Sequence, residues 1–356
     1  MELQFDLQRF AYFDDANDTQ IDDPRRNITS ISPALVKQAW AKDTWESGMH
    51  KAFFDKFTGN SPENIIQIRE ELAKDDGDTI NIPLLMPLTG AGVTGDDWLE
   101  GNEEAMIYRD FKVTINQLRH AVRIKGKMTE QSVALDLRRD AKVALANWLA
   151  DTIDKRIFRE LSTNPTPDRV VYGGSATSVN SIGATDVFST DLIGKAKRIA
   201  LEDENTMIKP LVIDGIETYI MVIDQWQARD LKTKDQRWIE AQQYANVRGS
   251  KNPIFTGALG VYDGVVLHQC NRIIREPAGS GGMKVGHALF LGRQAAVFAV
   301  GDNPTWNEKT FDYGNKVGFE FGRIFGIKKT QFKYDGTNPT DFGCINVITA
   351  SEDDGV

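Results

Sequence analysis

The chain has 356 residues, enough for roughly two domains of about 150 residues, and its 41% hydrophobic and 26% charged content is that of a globular protein. No stretch approaches the roughly 18 consecutive apolar residues of a membrane span, and Glu2, Asp6 and Arg9 interrupt the apolar residues that a signal peptide needs, so a soluble, non-secreted chain is expected. With 51 acidic against 42 basic residues the net charge is -9, which opposes general binding to phosphate backbones and is otherwise ordinary for a soluble protein.

The first 32 residues carry Asp14, Asp15, Asp18, Asp22, Asp23 and Pro24 among scattered aromatics with no steady period, the composition of an extended arm. From Pro33 the pattern turns helical, with Leu35, Trp40, Trp45, Phe53, Phe54 and Phe57 in a segment that ends near Gly59, Asn60 and Pro62. Those aromatics require a partner surface.

Ile80, Ile82, Leu84, Met86 and Leu88 then alternate as a half-buried strand does, with Pro83 and Pro87 on the opposite phase. Proline gives a ladder no N–H, so this strand belongs at an edge or in a projecting hairpin. A glycine-rich loop follows, acidic through Asp96, Asp97, Glu100, Glu103 and Glu104. The return strand runs through Phe111, Val113 and Ile115 and is basic through Arg109, Lys112, Arg119 and Arg123. Its apolar phase slips by one position at Leu118, Val122 and Ile124, which predicts a bulge or bend near Asn116 and Gln117.

A long helix is predicted from Thr129 to Leu161, with no proline or glycine inside and a length of roughly 50 Å. Its apolar series, Val133, Leu137, Ala141, Leu145, Leu149, Ile153, Ile157 and Leu161, steps by four and so drifts by about 40° per step. A coiled coil alternates steps of three and four. The winding stripe describes a spine that meets different partners along its length.

Residues 163–190 are rich in Gly, Ser, Thr, Asn and Pro and are read as a boundary or long loop. Beyond them the pattern predicts a helix at Asp191–Glu204, a strand at Tyr219–Ile223 and helix over Gln225–Tyr244 broken near Lys232. Strands follow near Gly264–His268, Ala288–Leu291, Val317–Phe321 and Cys344–Ile348. Cys270 and Cys344 fall in apolar, strand-like runs and are read as core residues, since two cysteines make no disulfide framework.

Catalytic motifs are sparse. Gly90-Ala91-Gly92-Val93-Thr94-Gly95 spells a dinucleotide fingerprint, with Asp110 some distance on, but such a site needs a helix opening at the third glycine. Here Asp96 and Asp97 repel phosphate and Gly101 leaves no room for a helix, so a flexible loop tip is preferred and no cofactor is expected. His50, His120, His268 and His287 lack the short spacing of a metal pair. No P-loop, nucleophile elbow or His-Glu-x-x-His occurs, and carboxylate pairs such as Asp353 and Asp354 are read as solvated. Neither a catalytic nor a metal site is expected.

The order of arm, projecting two-stranded loop, spine helix and mixed α/β body resembles the tailed-phage major capsid fold of the Hong Kong 97 type. Phe255-Thr256-Gly257-Ala258-Leu259-Gly260-Val261-Tyr262-Asp263-Gly264-Val265-Val266, Ala288-Leu289-Phe290-Leu291-Gly292-Arg293-Gln294-Ala295, Asp312-Tyr313-Gly314 and Asp341-Phe342-Gly343 are similar to the capsid family of podophages that carry a virion RNA polymerase.

The resemblance implies an α+β fold with an arm (1–32), an N-terminal helical segment (33–78), an extended loop (79–128), a spine helix of a peripheral domain (129–164), an axial domain (165–303) and C-terminal strands of the peripheral domain (304–356). It implies a structural shell subunit, not an enzyme, that self-assembles as hexamers and pentamers into an icosahedral capsid around phage double-stranded DNA. The virion is the expected location, with assembly in the host bacterial cytoplasm. A separate scaffolding protein, a portal and a decoration protein are the expected partners. Asp96, Asp97, Glu100, Glu103, Glu104, Arg109, Lys112, Arg119 and Arg123 are the candidate inter-subunit contacts. Two other classes stay open: an encapsulin-like nanocompartment shell enclosing a cargo enzyme, and a dinucleotide-dependent enzyme using Gly90–Gly95.

Overall fold

The computed structural model describes residues 33–352 apart from 72–76, 87, 89, 133–135, 203–205, 214, 245–257 and 335–336. The expected arm, Pro87, Val133 and the pair Asp353 and Asp354 lie outside the described residues.

Helix α1 (Pro33–Lys51) opens with proline at its first turn, where a missing N–H costs nothing. It stops earlier than the aromatic pattern suggests, and the chain turns through a short 3₁₀ segment (Asp55–Phe57) into strands β1 (Thr58–Gly59) and β2 (Ile66–Arg69). That turn places Phe53, Phe54 and Phe57 together, with Phe54 4.8 Å from Phe158 between ring centroids. Strands β3 (Thr79–Leu85) and β4 (Tyr108–Thr114) pair antiparallel as a hairpin, Ile80 opposite Val113 and Ile82 opposite Phe111. Next come β5 (Asn116–Arg123), α2 (Lys127–Ser132), α3 (Leu137–Ser162), β6 (Val170–Tyr172), α4 (Thr190–Leu201), β7 (Leu211–Ile213) and β8 (Ile216–Ile223). Helices α5 (Gln225–Lys234) and α6 (Gln236–Tyr244) break at Asp235, close to the predicted break. The remaining strands are β9 (Gly260–Tyr262), β10 (Val265–Gln269), β11 (Arg275–Glu276), β12 (Val285–Leu291), β13 (Ala296–Val300), β14 (Thr305–Phe311), β15 (Lys316–Lys329), β16 (Gln331–Phe332), β17 (Thr340–Asp341) and β18 (Cys344–Ala350).

Two sheets organise the body. The eight-stranded sheet runs β6-β18-β12-β8-β10-β9, with β7 and β11 at its margins, and mixes parallel and antiparallel pairs. Every residue of β12 and β18 is buried, because α3 covers one face of this sheet while Leu192, Ile193, Ala228, Leu231 and Trp238 of α4–α6 cover the other. The six-stranded sheet runs β1-β2-β13-β15-β14, with β5 also on β15. Sequence reading missed β13 and β14 and saw only the start of β15, whose 14 residues pair with β14 and β5 over one half and β13 over the other.

The spine is shorter than predicted. Asp136 caps α3 by accepting the Arg139 N–H at 3.2 Å, and the 26 residues that follow reach roughly 39 Å. Ala141, Leu145, Leu149, Ile153, Ile157 and Leu161 are all buried, and the partners change along the helix. Lys142 pairs with Asp43 of α1, Trp148 stacks on His120 of β5 at 4.4 Å, and the Leu161 carbonyl accepts Asn346 Nδ2 of β18 at 3.3 Å.

The predicted bulge near Asn116 is instead a change of sheet. β4 pairs with β3, whereas β5 pairs with β15 from Asn116 opposite Phe325 to Arg123 opposite Gly318. The one-residue slip in apolar phase is where the chain passes from one sheet to the other, at Ile115. A side chain at Gly326 would collide with the Thr114 carbonyl there, so glycine admits the crossing.

Candidate functional site

None of the enzyme-like features assembles. Gly92 and Gly95 take φ +72° and +69° with open space around them, and the residues after Gly95 form a turn and coil, not a helix that could hold a pyrophosphate. Among the described residues no group of three or more His, Cys, Asp and Glu side chains is placed to hold a metal ion. The histidines are separated: His50 meets Asp55 at 3.1 Å, His268 is buried against Phe53 and Phe57, and His287 meets Glu276 at 3.0 Å. Burial pushes the thiols of Cys270 and Cys344 up to about 11 and about 12, which keeps them as unreactive core residues. Among the described residues no helix is long and apolar enough to cross a membrane.

The hairpin is the distinctive external feature. Its root is fixed, because Ile80, Phe111 and Val113 are buried with Val297, Ala299 and Phe332. Its far end is not. Beyond Leu85 and Tyr108 the chain leaves Leu88, Trp98, Leu99 and Met106 more than 60% exposed, next to a stretch (75–108) with neither lysine nor arginine.

The candidate contacts fall into two groups. Asp96, Asp97 and Glu100 are exposed at the tip and make no ion pair within the chain among the described residues. Glu103 and Glu104 are used locally: their carboxylates accept the N–H groups of Gly101 and Gly90, each at 2.7 Å, and shape the loop. The basic residues are split between two surfaces. On β4, Arg109 donates to the Tyr334 carbonyl at 3.4 Å and Lys112 lies 3.8 Å from Asp110. On β5, Arg119 pairs with Glu320 at 3.4 Å and Arg123 lies 5.6 Å over the Phe311 ring. Sequence reading singled out the charges and overlooked Trp98; an indole inside a Gly/Asp loop with no apolar periodicity to bury it was the available signal.

The sequence profile of the phage capsid protein family matches residues 27–166 and 163–353. The chain belongs to the phage capsid protein family. It is a structural shell subunit and a component of the virion, not an enzyme. The major capsid protein of Pseudomonas phage KPP25 is 31% identical over 358 residues, covering 88% of this chain and 95% of that one. The capsid structure of Ralstonia phage GP4 superposes with a TM-score of 0.76 at 32% identity, covering 86% of this chain and 92% of that one. The Cyanophage Pam1 capsid shares the fold, with a TM-score of 0.72 at 22% identity over 86% of this chain and 94% of that one. This capsid family has the α+β, Hong Kong 97 type fold. A nanocompartment shell with an enzyme cargo finds no support among these relatives, all of them phage capsid proteins.

Proposed function

We propose that copies of this chain close as hexamers and pentamers into an icosahedral capsid around double-stranded DNA, and that the hairpin carries a contact between neighbours. The observation that carries this reading is the contrast along the hairpin: a root locked into the subunit core and a tip with Trp98 exposed and Asp96, Asp97 and Glu100 unpaired among the described residues. A loop kept soluble by charge alone has no use for an exposed indole, while an interface anchor does. On this reading the six-stranded sheet with α1 and α3 forms the peripheral domain and the eight-stranded sheet the axial domain. β13 then joins the peripheral unit and β18 the axial one, against a simple division at residues 303 and 304.

The net charge of -9 supports enclosure of DNA without a tight grip on it. The C-terminal motifs support placement with the podophages carrying a virion RNA polymerase, with assembly in the host cytoplasm assisted by a scaffolding protein, a portal and a decoration protein.

Electron microscopy of the purified chain tests the core of the reading: closed icosahedral particles are expected, and a stable monomer under all assembly conditions overturns it. For the tip, Asp96→Lys with Asp97→Lys is expected to lower particle yield most at low salt, where charge pairing is least screened. Unchanged yield at every salt concentration removes the tip from the interface.

A further inference from the structure

Two short motifs of the sequence, Gly292-Arg293-Gln294-Ala295 and Asp341-Phe342-Gly343, lie where the chain passes between the two sheets. Among the described residues it does so three times: from α3 to β6 through residues 163–169, from β12 to β13 through 292–295, and from the end of β15 to β18 through 330–343. The passages run together. The Gly292 N–H donates to the Gly343 carbonyl at 2.9 Å, the Thr330 N–H to the Ala295 carbonyl at 3.0 Å and the Phe342 N–H to the Thr330 carbonyl at 3.0 Å. A Cβ on Gly343 would stand 2.5 Å from the Arg293 carbonyl oxygen, so glycine admits the contact.

A buried ion pair sits at their meeting point. Lys329, the last residue of β15, places Nζ 3.0 Å from the Asp341 carboxylate, and neither side chain is more than 5% exposed. Its ammonium also donates to the carbonyls of Thr163 at 3.1 Å and Asn164 at 3.2 Å, where the spine helix has just ended. Asn164 takes φ +45°, the left-handed turn that releases the chain from the helix. Asp341 in turn accepts Gln331 Nε2 at 2.7 Å and the Thr166 N–H at 3.1 Å, while its own N–H donates to the Thr166 hydroxyl at 3.0 Å. All three ammonium N–H groups are thereby used, and the pair joins the first and third passages to the end of β15.

Elsewhere the sheets are joined through the core around α3, which brings Phe325 of one together with Leu289 of the other. Apolar contact of that kind is non-directional and sets no angle, whereas hydrogen bonds do. A buried ion pair adds little stability over apolar residues of the same volume, and its best-attested use is to select one arrangement among several. The structure assigns Lys329 and Asp341 the role of positioning residues that fix the angle between the six-stranded and eight-stranded sheets, and with it the curvature each subunit brings to the shell. The curvature rests on the reading of the chain as a shell subunit; the angle does not.

Distances between spin labels on the unassembled full chain read the angle directly. Labels at Lys195→Cys on α4 and Lys309→Cys on β14, both exposed positions, span the two sheets, and the buried Cys270 and Cys344 stay unlabelled. Asp341→Asn keeps the volume, removes the charge and is expected to widen the distance distribution roughly twofold. Leu231→Ala, a core deletion on α5, is expected to lower the thermal unfolding temperature and leave the distribution narrow. Should Asp341→Asn not fold, Thr166→Val is read the same way, since it removes the hydroxyl that takes the Asp341 N–H and spares the ion pair. An unchanged distribution, or equal widening by Leu231→Ala, overturns the assignment. In assembled particles the same variant is expected to spread the diameters seen by electron microscopy, and the single diameter of the unaltered chain would overturn the step to curvature. Failure of the unaltered chain to form particles would instead remove the shell reading and leave the distance result standing.

Discussion

Asp154, in the C-terminal half of the spine helix and fully buried, accepts Arg272 Nη1 at 2.5 Å while taking the backbone N–H groups of Phe53 at 2.8 Å and Phe54 at 3.3 Å. One carboxylate thus joins the spine, the turn after α1 and the loop after β10. Burial raises its pKa above the usual carboxylate value, and the Phe53 N–H, Arg272 and the Phe54 N–H pull it back.

Removing the guanidinium leaves a buried charge without its counter-ion. Arg272→Ala is expected to destabilise the subunit by about 3–5 kcal/mol at neutral pH, read as a drop in thermal unfolding temperature. A carboxyl whose pKa is higher folded than unfolded binds more protons in the folded state, so stability rises as pH falls toward the unfolded value of 3.8. The deficit of Arg272→Ala is therefore expected to shrink on acidification, and a deficit independent of pH would argue against this account.

At Gly48 helix α1 packs tightly against the spine. A Cβ there would stand 2.8 Å from Leu149 Cδ2 and 3.2 Å from the Ala146 carbonyl, so Gly48→Val must push the helices apart. Overpacking of this kind costs about 1–3 kcal/mol, which denaturant unfolding of the isolated subunit would resolve; wild-type stability would show that the crossing has slack.

His287 is buried, and desolvation lowers its pKa below 6.5 although Glu276 at 3.0 Å opposes the shift. A histidine with a depressed folded pKa takes up its proton first in the unfolded chain. Its contribution is therefore intact above 6.5 and is lost as pH falls below that value. His287→Gln is expected to flatten the acid limb of the stability profile just below pH 6.5, and an unchanged limb would assign the acid sensitivity elsewhere.

Much of this architecture was legible because it is local. The alternation at Ile80, Ile82 and Leu84 and the four-step series on α3 are periodic signals that survive without tertiary context. The passage between sheets at Ile115 was visible only as a phase slip, since a bulge and a strand exchange leave the same trace in one strand. β13 and β14 were hidden for opposite reasons: Ala296-Val297-Phe298-Ala299-Val300 is buried throughout and has no alternation to detect, while β14 is polar and buries only Trp306. The nearness of Gly318, Arg123 and Lys309 was beyond reach altogether, because they become neighbours only through the register of three strands.

The place of β18 in the eight-stranded sheet has a consequence in time. It lies between β6 and β12, so residues 170–172 and 285–291 have no common partner until residues 344–350 arrive. On a ribosome that makes the chain from its N-terminus, the β6 side of this sheet stays open until residues 344–350 have emerged. Until then β12 and β6 each offer an unpaired edge that another strand can seize. A chain interrupted before residue 344 therefore lacks the strand that joins β6 to β12.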